Sequence, residues 1–289
     1  MEIIEEAKSK INISLNLTGK KENNYHQLMS FICFSNLSDK LILTKSDFFD
    51  YEIRSSFEKI PYKDDLILKT ITAVKKYLNL TDLPPFKLIL KKNIPLGSGL
   101  GGGSADSAAL IRMLNNFLDL KLSKIDMINL GAEIGSDIPA CIISKPLIAH
   151  GRGEKIIELD YKNTYNLLII YPSINISTKE IFNSINIGDY KNKNLYETKD
   201  WIEKNSGIED YDFFKKFSND LQNVAISMYP IISDILNSLN KKNAIFSAMT
   251  GSGSACFGIF DDKEIDLALN YFEKNFPSWI IKKTKLNNF

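Results

Sequence analysis

Pro95-Leu-Gly-Ser-Gly-Leu-Gly-Gly-Gly-Ser-Ala-Asp-Ser107 gathers five of the chain's fifteen glycines between positions 97 and 103. On one side, Phe86 to Lys92 reads as a strand that Asn93-Ile-Pro95 brings to an end. On the other, Leu110, Met113, Leu114, Phe117 and Leu118 recur at i, i+3, i+4, i+7 and i+8, the apolar stripe of an amphipathic helix. A glycine-rich loop that opens a helix exposes backbone N–H groups, and the helix start has no internal acceptors for its first amides. Together with the helix dipole, this makes the segment a phosphate site built from Pro95, Leu96, Gly97, Ser98, Gly99, Leu100, Gly101, Gly102, Gly103, Ser104 and Ala105. Ser104 and Ser107 add hydroxyls at the same end.

Three familiar phosphate loops do not fit. Gly97-Ser-Gly99-Leu-Gly-Gly102 satisfies the dinucleotide spacing, but Asp119 closes a helix where that motif needs a second strand. No Gly-Lys-Ser/Thr follows the glycines, which excludes a Walker loop, and the His-Arg-Asp and Asp-Phe-Gly motifs of protein kinases are absent.

Working outward, Ser9 to Leu17 alternates, with Ile11, Ile13, Leu15 and Leu17 on one face and Lys10, Asn12, Ser14 and Asn16 on the other. This predicts a strand whose polar face meets either solvent or a polar cleft. Ser123 and Asp126 resemble a capping box that starts a second helix ending near Gly135. Later come a strand at Asn166–Tyr171, helical phasing from Asn219, and two strands, Ala244–Met249 and Ala255–Phe260, around Thr250-Gly-Ser-Gly-Ser254. A helix through Ile265, Ala268, Leu269 and Phe272 and a strand at Trp279–Lys283 complete the pattern. The Asn/Lys/Asp-rich stretch at about 185–200 reads as a surface loop. Mixed helices and antiparallel strands make the class α+β, and the polar 155–165 region divides the chain into 1–158 and 159–289.

The 289 residues carry a net charge of +1 and 44% hydrophobic residues, values of a globular protein with no basic footprint for nucleic acid or anionic membranes. No apolar run reaches the length of a membrane span. The acidic start Met-Glu-Ile-Ile-Glu-Glu is no signal peptide, so a cytoplasmic location is expected. Cys33, Cys141 and Cys256 are isolated and read as buried free thiols. With His150 they take structural roles. Arginine occurs only at 54, 112 and 152, which reads as coding bias.

The glycine loop resembles that of the GHMP kinases. Within them, four stretches resemble the branch that phosphorylates a cytidyl-diphosphate-linked methylerythritol in isoprenoid-precursor synthesis. These are Ala7-Lys-Ser-Lys10-Ile-Asn12 leading to Gly19 and Tyr25-His26, the loop itself, Gly131-Ala-Glu-Ile-Gly-Ser-Asp137-Ile-Pro139, and Met249-Thr-Gly-Ser-Gly-Ser-Ala-Cys256. They follow the family's order from residue 7 to 256. Ser98 stands where the family usually has Gly or Ala, and Asp65 where an Asn that helps hold adenine is common.

The resemblance implies an N-terminal nucleotide-binding domain with a left-handed βαβ unit, against the usual crossover hand, and a C-terminal ferredoxin-like α+β domain. Substrate would bind in the cleft between. It implies ATP with Mg²⁺ as phosphoryl donor, a small cytidyl diphosphate substrate, and a monomer or weak homodimer. Alone, Asp137 would be a helix-end Asp and Lys10 a solvated lysine. By resemblance Asp137 is the catalytic base at the acceptor hydroxyl and Lys10 its cationic partner. Asn12 would contact substrate nearby. Tyr25 would stack on the cytosine, His26 bond it, and Phe182 cover its other face, with Thr178 adjacent. Gly251 and Gly253 would close over substrate and phosphates. The metal ligands stay open. So do two alternatives: a homoserine or mevalonate kinase, and a non-catalytic nucleotide-binding protein.

Overall fold

In the computed structural model of the chain, residues 2–20, 26–56, 65–185, 194–208 and 211–287 are described. The chain runs through β1 (Glu2–Asn12), β2 (Asn16–Lys20), β3 (His26–Lys45), β4 (Asp50–Ser55), α1 (Leu66–Tyr77) and β5 (Phe86–Lys92). Next come α2 (Gly102–Phe117), α3 (Lys124–Ile134), α4 (Ile138–Ile143), β6 (Leu147–Gly151), β7 (Lys155–Glu158) and β8 (Tyr165–Tyr171). The remainder holds α5 (Thr178–Asn183), α6 (Leu195–Lys204), a 3-10 turn at Tyr211–Lys216, α7 (Gln222–Met228) and α8 (Ile231–Lys241). It closes with β9 (Phe246–Met249), β10 (Cys256–Phe260), α9 (Ile265–Asn275) and β11 (Ile280–Leu286).

Two compact units form. The first comprises Met1–Lys10, Leu37–Leu96 and Gly101–Ser144; the second comprises Ile11–Asn36, Gly97–Leu100 and Lys145–Phe289. Strand β3 passes from one to the other at 36/37, and position 158, at the end of β7, lies inside the second.

In the first unit, the later half of β3 pairs antiparallel with β5, Lys40 opposite Lys91 and Lys45 opposite Phe86. Strand β4 runs parallel to β5 on its other side, and α1 makes the crossover. Helix α2 buries Leu110, Met113 and Leu114 completely, each contributing about 1.5–3 kcal/mol. The capping box of α3 is formed: the Asp126 amide donates to Ser123 Oγ at 3.2 Å, the Ser123 amide to Asp126 Oδ2 at 2.9 Å, and the helix stops at Gly135. The inward face of β5 reads Phe86, Leu88, Leu90 and then Lys92, all buried. The Lys92 ammonium meets Asp39 and, at 2.6 Å, Asp106 of α2. Asp39 Oδ1 accepts from the Asn93 and Ile94 amides at 2.5 and 2.8 Å. A buried ionic cluster thus turns the chain from β5 into the glycine loop.

In the second unit the strand order is β3-β11-β8-β10-β9. The run Leu167-Leu-Ile-Ile170 lies in β8, buried along its whole length, with β11 (Ile280 opposite Tyr171) and β10 (Cys256 opposite Ile170) antiparallel on its two sides. Helices α8 and α9 supply Ile232, Ile235, Leu239, Ile265 and Phe272 to the core on this sheet. Strands β9 and β10 form the expected hairpin, closed by the Thr250 amide on the Ala255 carbonyl at 3.0 Å.

Two expectations need correction. Ser9–Leu17 is not one strand: β1 begins at Glu2 and ends at Asn12, and β2 begins at Asn16. The break follows its bonds, because Leu15 N–H turns to the Ser218 carbonyl and Asp220 N–H to the Leu15 carbonyl. Both faces are buried: Asn12, Ser14 and Asn16 sit in a hydrogen-bonded interior, not at solvent. The presumed 185–200 loop is also wrong in its later part. Asn194 caps α6 by accepting from the Tyr196 and Glu197 amides, so Leu195 onward is helix; positions 186–193 lie outside the described residues.

Candidate active site

The first unit brings Lys10 and Asp137 together. Strand β1 delivers Lys10, whose side chain is 5% exposed, and its Nζ lies 2.9 Å from Asp137 Oδ2. Asp137 is the N-cap residue of α4, with Pro139 in the first turn, and its side chain stays 43% exposed. A buried cation therefore faces a carboxylate that still has a solvent side, the arrangement a proton acceptor for an incoming hydroxyl requires. The Lys10 stem passes under Gly101, where a Cβ would sit 3.3 Å from it, at φ +70°. Only glycine suits that close, left-handed turn.

Gly101 is also the N-cap of α2 and supplies no side-chain cap. The first amide with a helical acceptor is that of Ala105, to the Gly101 carbonyl at 2.9 Å. The amides of Gly102, Gly103 and Ser104 precede it, on residues that keep part of their surface exposed. They make an anion cradle at a helix N-terminus. Ser104 shares that exposure, whereas Ser107 is fully buried with its hydroxyl turned to the Leu66 carbonyl at 3.4 Å. Pro95 is buried beside the partly exposed Leu96. Beneath the cradle, burial pushes the Asp106 carboxyl well up; Lys92 opposes this and the Asp39 charge adds to it. Burial alone would lower Lys92, but the two carboxylates outweigh it and raise it. Asp65 is buried and caps α1, accepting from the Ile67 amide at 2.8 Å.

The second unit collects another set. Gly99, at φ +82°, packs so closely on the 250–253 turn that a Cβ would lie 2.7 Å from the Thr250 carbonyl oxygen. The Ser98 carbonyl accepts from the Ala255 amide at 2.9 Å, and Leu100 is fully buried. Asn12 is buried, with Nδ2 on Ser30 Oγ at 2.7 Å and its amide on Thr250 Oγ1 at 3.0 Å. Thr178 Oγ1 and Ser252 Oγ are 2.7 Å apart, tying α5 to the turn that carries Gly251 and Gly253. The His26 and Phe182 rings lie 5.3 Å apart at 45°. Gly97 belongs to this unit too. Tyr25 lies outside the described residues.

The sequence reading overlooked Asn219. Its Nδ2 donates to the Met249 and Gly251 carbonyls, both at 2.8 Å, and fixes the turn from below. Its one local mark is an Asn ahead of a helical stretch. Among the described residues, no group of three or more His, Cys, Asp or Glu is placed to hold a metal ion. None of the described helices is long and apolar enough to cross a membrane.

Comparison with known proteins gives the chain's family. The GHMP kinases N terminal domain matches residues 65–145 and the GHMP kinases C terminal domain matches 191–278. A 4-diphosphocytidyl-2-C-methyl-D-erythritol kinase of Caldanaerobacter subterraneus subsp. tengcongensis is 34% identical over 259 residues, covering 89% of this chain and 88% of its own. The chain belongs to the 4-diphosphocytidyl-2-C-methyl-D-erythritol kinase family of the GHMP kinases. A member from Pseudothermotoga lettingae is 35% identical over 266 residues, covering 90% of this chain and 92% of its own. A crystal structure of 4-(cytidine 5'-diphospho)-2C-methyl-D-erythritol kinase matches the fold at a TM-score of 0.79 and 19% identity, covering 99% and 100% of the two chains. The expected α+β GHMP kinase fold is thereby established, and the chain is a small-molecule kinase.

Proposed function

We propose that this family member transfers the γ-phosphoryl group of ATP to the 2-hydroxyl of 4-diphosphocytidyl-2-C-methyl-D-erythritol, giving the 2-phosphate and ADP in the non-mevalonate route to isopentenyl diphosphate. The observation that carries the reading is the 2.9 Å contact between buried Lys10 and half-exposed Asp137. Phosphoryl transfer needs positioning and charge neutralisation more than covalent chemistry. Asp137 accepts the proton of the attacking hydroxyl. Lys10 holds that carboxylate in place through their 2.9 Å contact, and its charge offsets the negative charge of the transferred group.

The uncapped amides of Gly102, Gly103 and Ser104 fit triphosphate oxygens, with the rest of the Pro95–Ala105 segment shaping the loop. Mg²⁺, when bound, would offset the negative charge of the donor phosphates, and the partly exposed Ser104 hydroxyl is the loop group that would help hold it. For the base, His26 offers a ring nitrogen and Phe182 a face; by family resemblance Tyr25 would take the base's other face, and Asn12, Thr178, Gly251 and Gly253 would contact the substrate. The protein acts on a small molecule, with no nucleic-acid or membrane partner, in the cytoplasm, as a monomer or weak homodimer.

The test is ADP release from ATP and Mg²⁺ with 4-diphosphocytidyl-2-C-methyl-D-erythritol, mevalonate and homoserine offered separately. Turnover is expected with the cytidyl compound alone. Asp137→Asn and Lys10→Ala should each lower kcat by about 10²–10⁴-fold while ATP still binds; unchanged kcat would sink the assignment. Phe182→Ala should raise KM for the cytidyl substrate roughly 5–150-fold, the equivalent of one lost stack. An unmoved KM would remove Phe182 from base recognition.

A further inference from the structure

Arg112 lies on α2, in the helix that the glycine loop opens, and its guanidinium bonds in two directions. Nε donates to Glu5 Oε1 of β1 at 2.7 Å. Nη1 donates to the backbone carbonyls of Cys141 and Ile142 in α4, at 2.9 and 3.3 Å. Glu5 precedes Lys10 on the same strand, and Asp137 is the N-cap of α4. One side chain therefore joins the three elements that carry the phosphate loop, the cation and the carboxylate.

The chemistry favours arginine here. The last carbonyls of a helix lack internal donors, and a six-residue helix does not hold its place by itself; α4 spans only Ile138–Ile143, all buried. A planar guanidinium serves a carboxylate on one edge and carbonyls on another, which a single ammonium nitrogen does not. With a side chain 21% exposed, Arg112 is sheltered enough to hold one geometry, and Glu5 beside it is 29% exposed.

We propose that Arg112 is a positioning residue for phosphoryl transfer. By bonding Glu5 and the Cys141 and Ile142 carbonyls at once, it fixes β1 against α4 and so sets the distance between Lys10 and Asp137. The proposal rests on the reading of Lys10 and Asp137 as the catalytic pair. Misplacement of reacting groups by about 1 Å costs on the order of 10²-fold in rate.

Arg112→Met should therefore lower kcat roughly 10–100-fold, with KM for ATP and for the cytidyl substrate within about threefold of the parent. In an Asp137→Asn background the same change should cost less than about threefold, because the distance it guards no longer matters. A comparable loss in both backgrounds, or a matching loss of ATP affinity, would overturn the proposal. If Arg112→Met does not fold, Arg112→Lys carries the test: it keeps the charge but gives up one arm, so kcat should fall at least about fivefold at unchanged KM. Parental kcat in Arg112→Lys would overturn the proposal equally. An Asp137→Asn protein with full activity would instead refute the catalytic pair itself, and that outcome is read independently of Arg112.

Discussion

At Lys92 the chain buries an ammonium between the carboxylates of Asp39 and Asp106, all three nearly inaccessible to solvent. The two kinds of residue in this cluster are not equivalent. Replacing Lys92 by Met leaves two carboxylates buried without a counter-charge, and the expected cost is about 3–5 kcal/mol of stability. Asp106→Asn instead removes the carboxylate that burial has already pushed toward its protonated form, and one of its oxygens, Oδ1, has no partner to lose. The sign of the pH effect follows. A carboxyl raised above 3.8 in the folded state binds more protons there than in the unfolded chain, so its contribution to stability is present at low pH and lost as pH rises through the raised value. Urea midpoints should therefore shift in favour of Asp106→Asn over the parent on going from about pH 4 to pH 8. A difference that stays constant with pH would mean that Asp106 is not raised.

Among the elements, α3 gives the cleanest separation of stability from activity. Ser123→Ala removes the side-chain half of its capping box, the acceptor for the Asp126 amide, and should cost about 0.5–2 kcal/mol in chemical unfolding. Residue 123 is exposed and caps the end of α3 that lies away from Asp137, so kcat should stay at the parental value; a fall in kcat would tie α3 to the chemistry. Helices α2, α3 and α9 and the β9–β10 hairpin were legible because each carries its own period, caps or turn. Helix α1 had a signal that went unread: Asp65 as a cap, then Ile67, Ile71 and Val74 in phase. Strand β3 had none, because Ser30–Ser35 is buried on both faces before alternation sets in near Lys40, and no single period spans it. Helix α4 is too short to show one. The site divides the same way. The glycine loop announced its phosphate from local pattern, but Lys10 and Asp137 stand 127 positions apart and came together only through family resemblance. Arg112, taken for a trace of coding bias, bonds backbone carbonyls, and a contact of that kind leaves no mark on the partner's sequence.

Across the whole molecule, all three thiols are inside. Burial pushes Cys33 up to about 12, while the Asn287 amide beside it opposes the shift. Burial and then the Asp137 charge push Cys141 to about 12, and burial raises Cys256 further still. A thiol held protonated and out of contact with solvent reacts only when its surroundings open. The folded protein should be nearly inert to a thiol reagent at pH 8 over minutes, and all three should react at once in denaturant; prompt labelling of any one without denaturant would contradict its burial. Because Cys141 belongs to the first unit and Cys33 and Cys256 to the second, peptide-resolved labelling reads the opening of each unit separately. The order of strands has its own outcome in time. The two neighbours of the buried, mainly apolar β8, β10 and β11, are encoded after it, beginning at Cys256 and Ile280. At ribosomal speeds of about 5–20 residues per second, that leaves β8 on the order of 5–20 s with both edges unsatisfied. The nascent chain must carry this sticky strand, shielded by the ribosome exit or by a holding chaperone, until its last neighbour emerges.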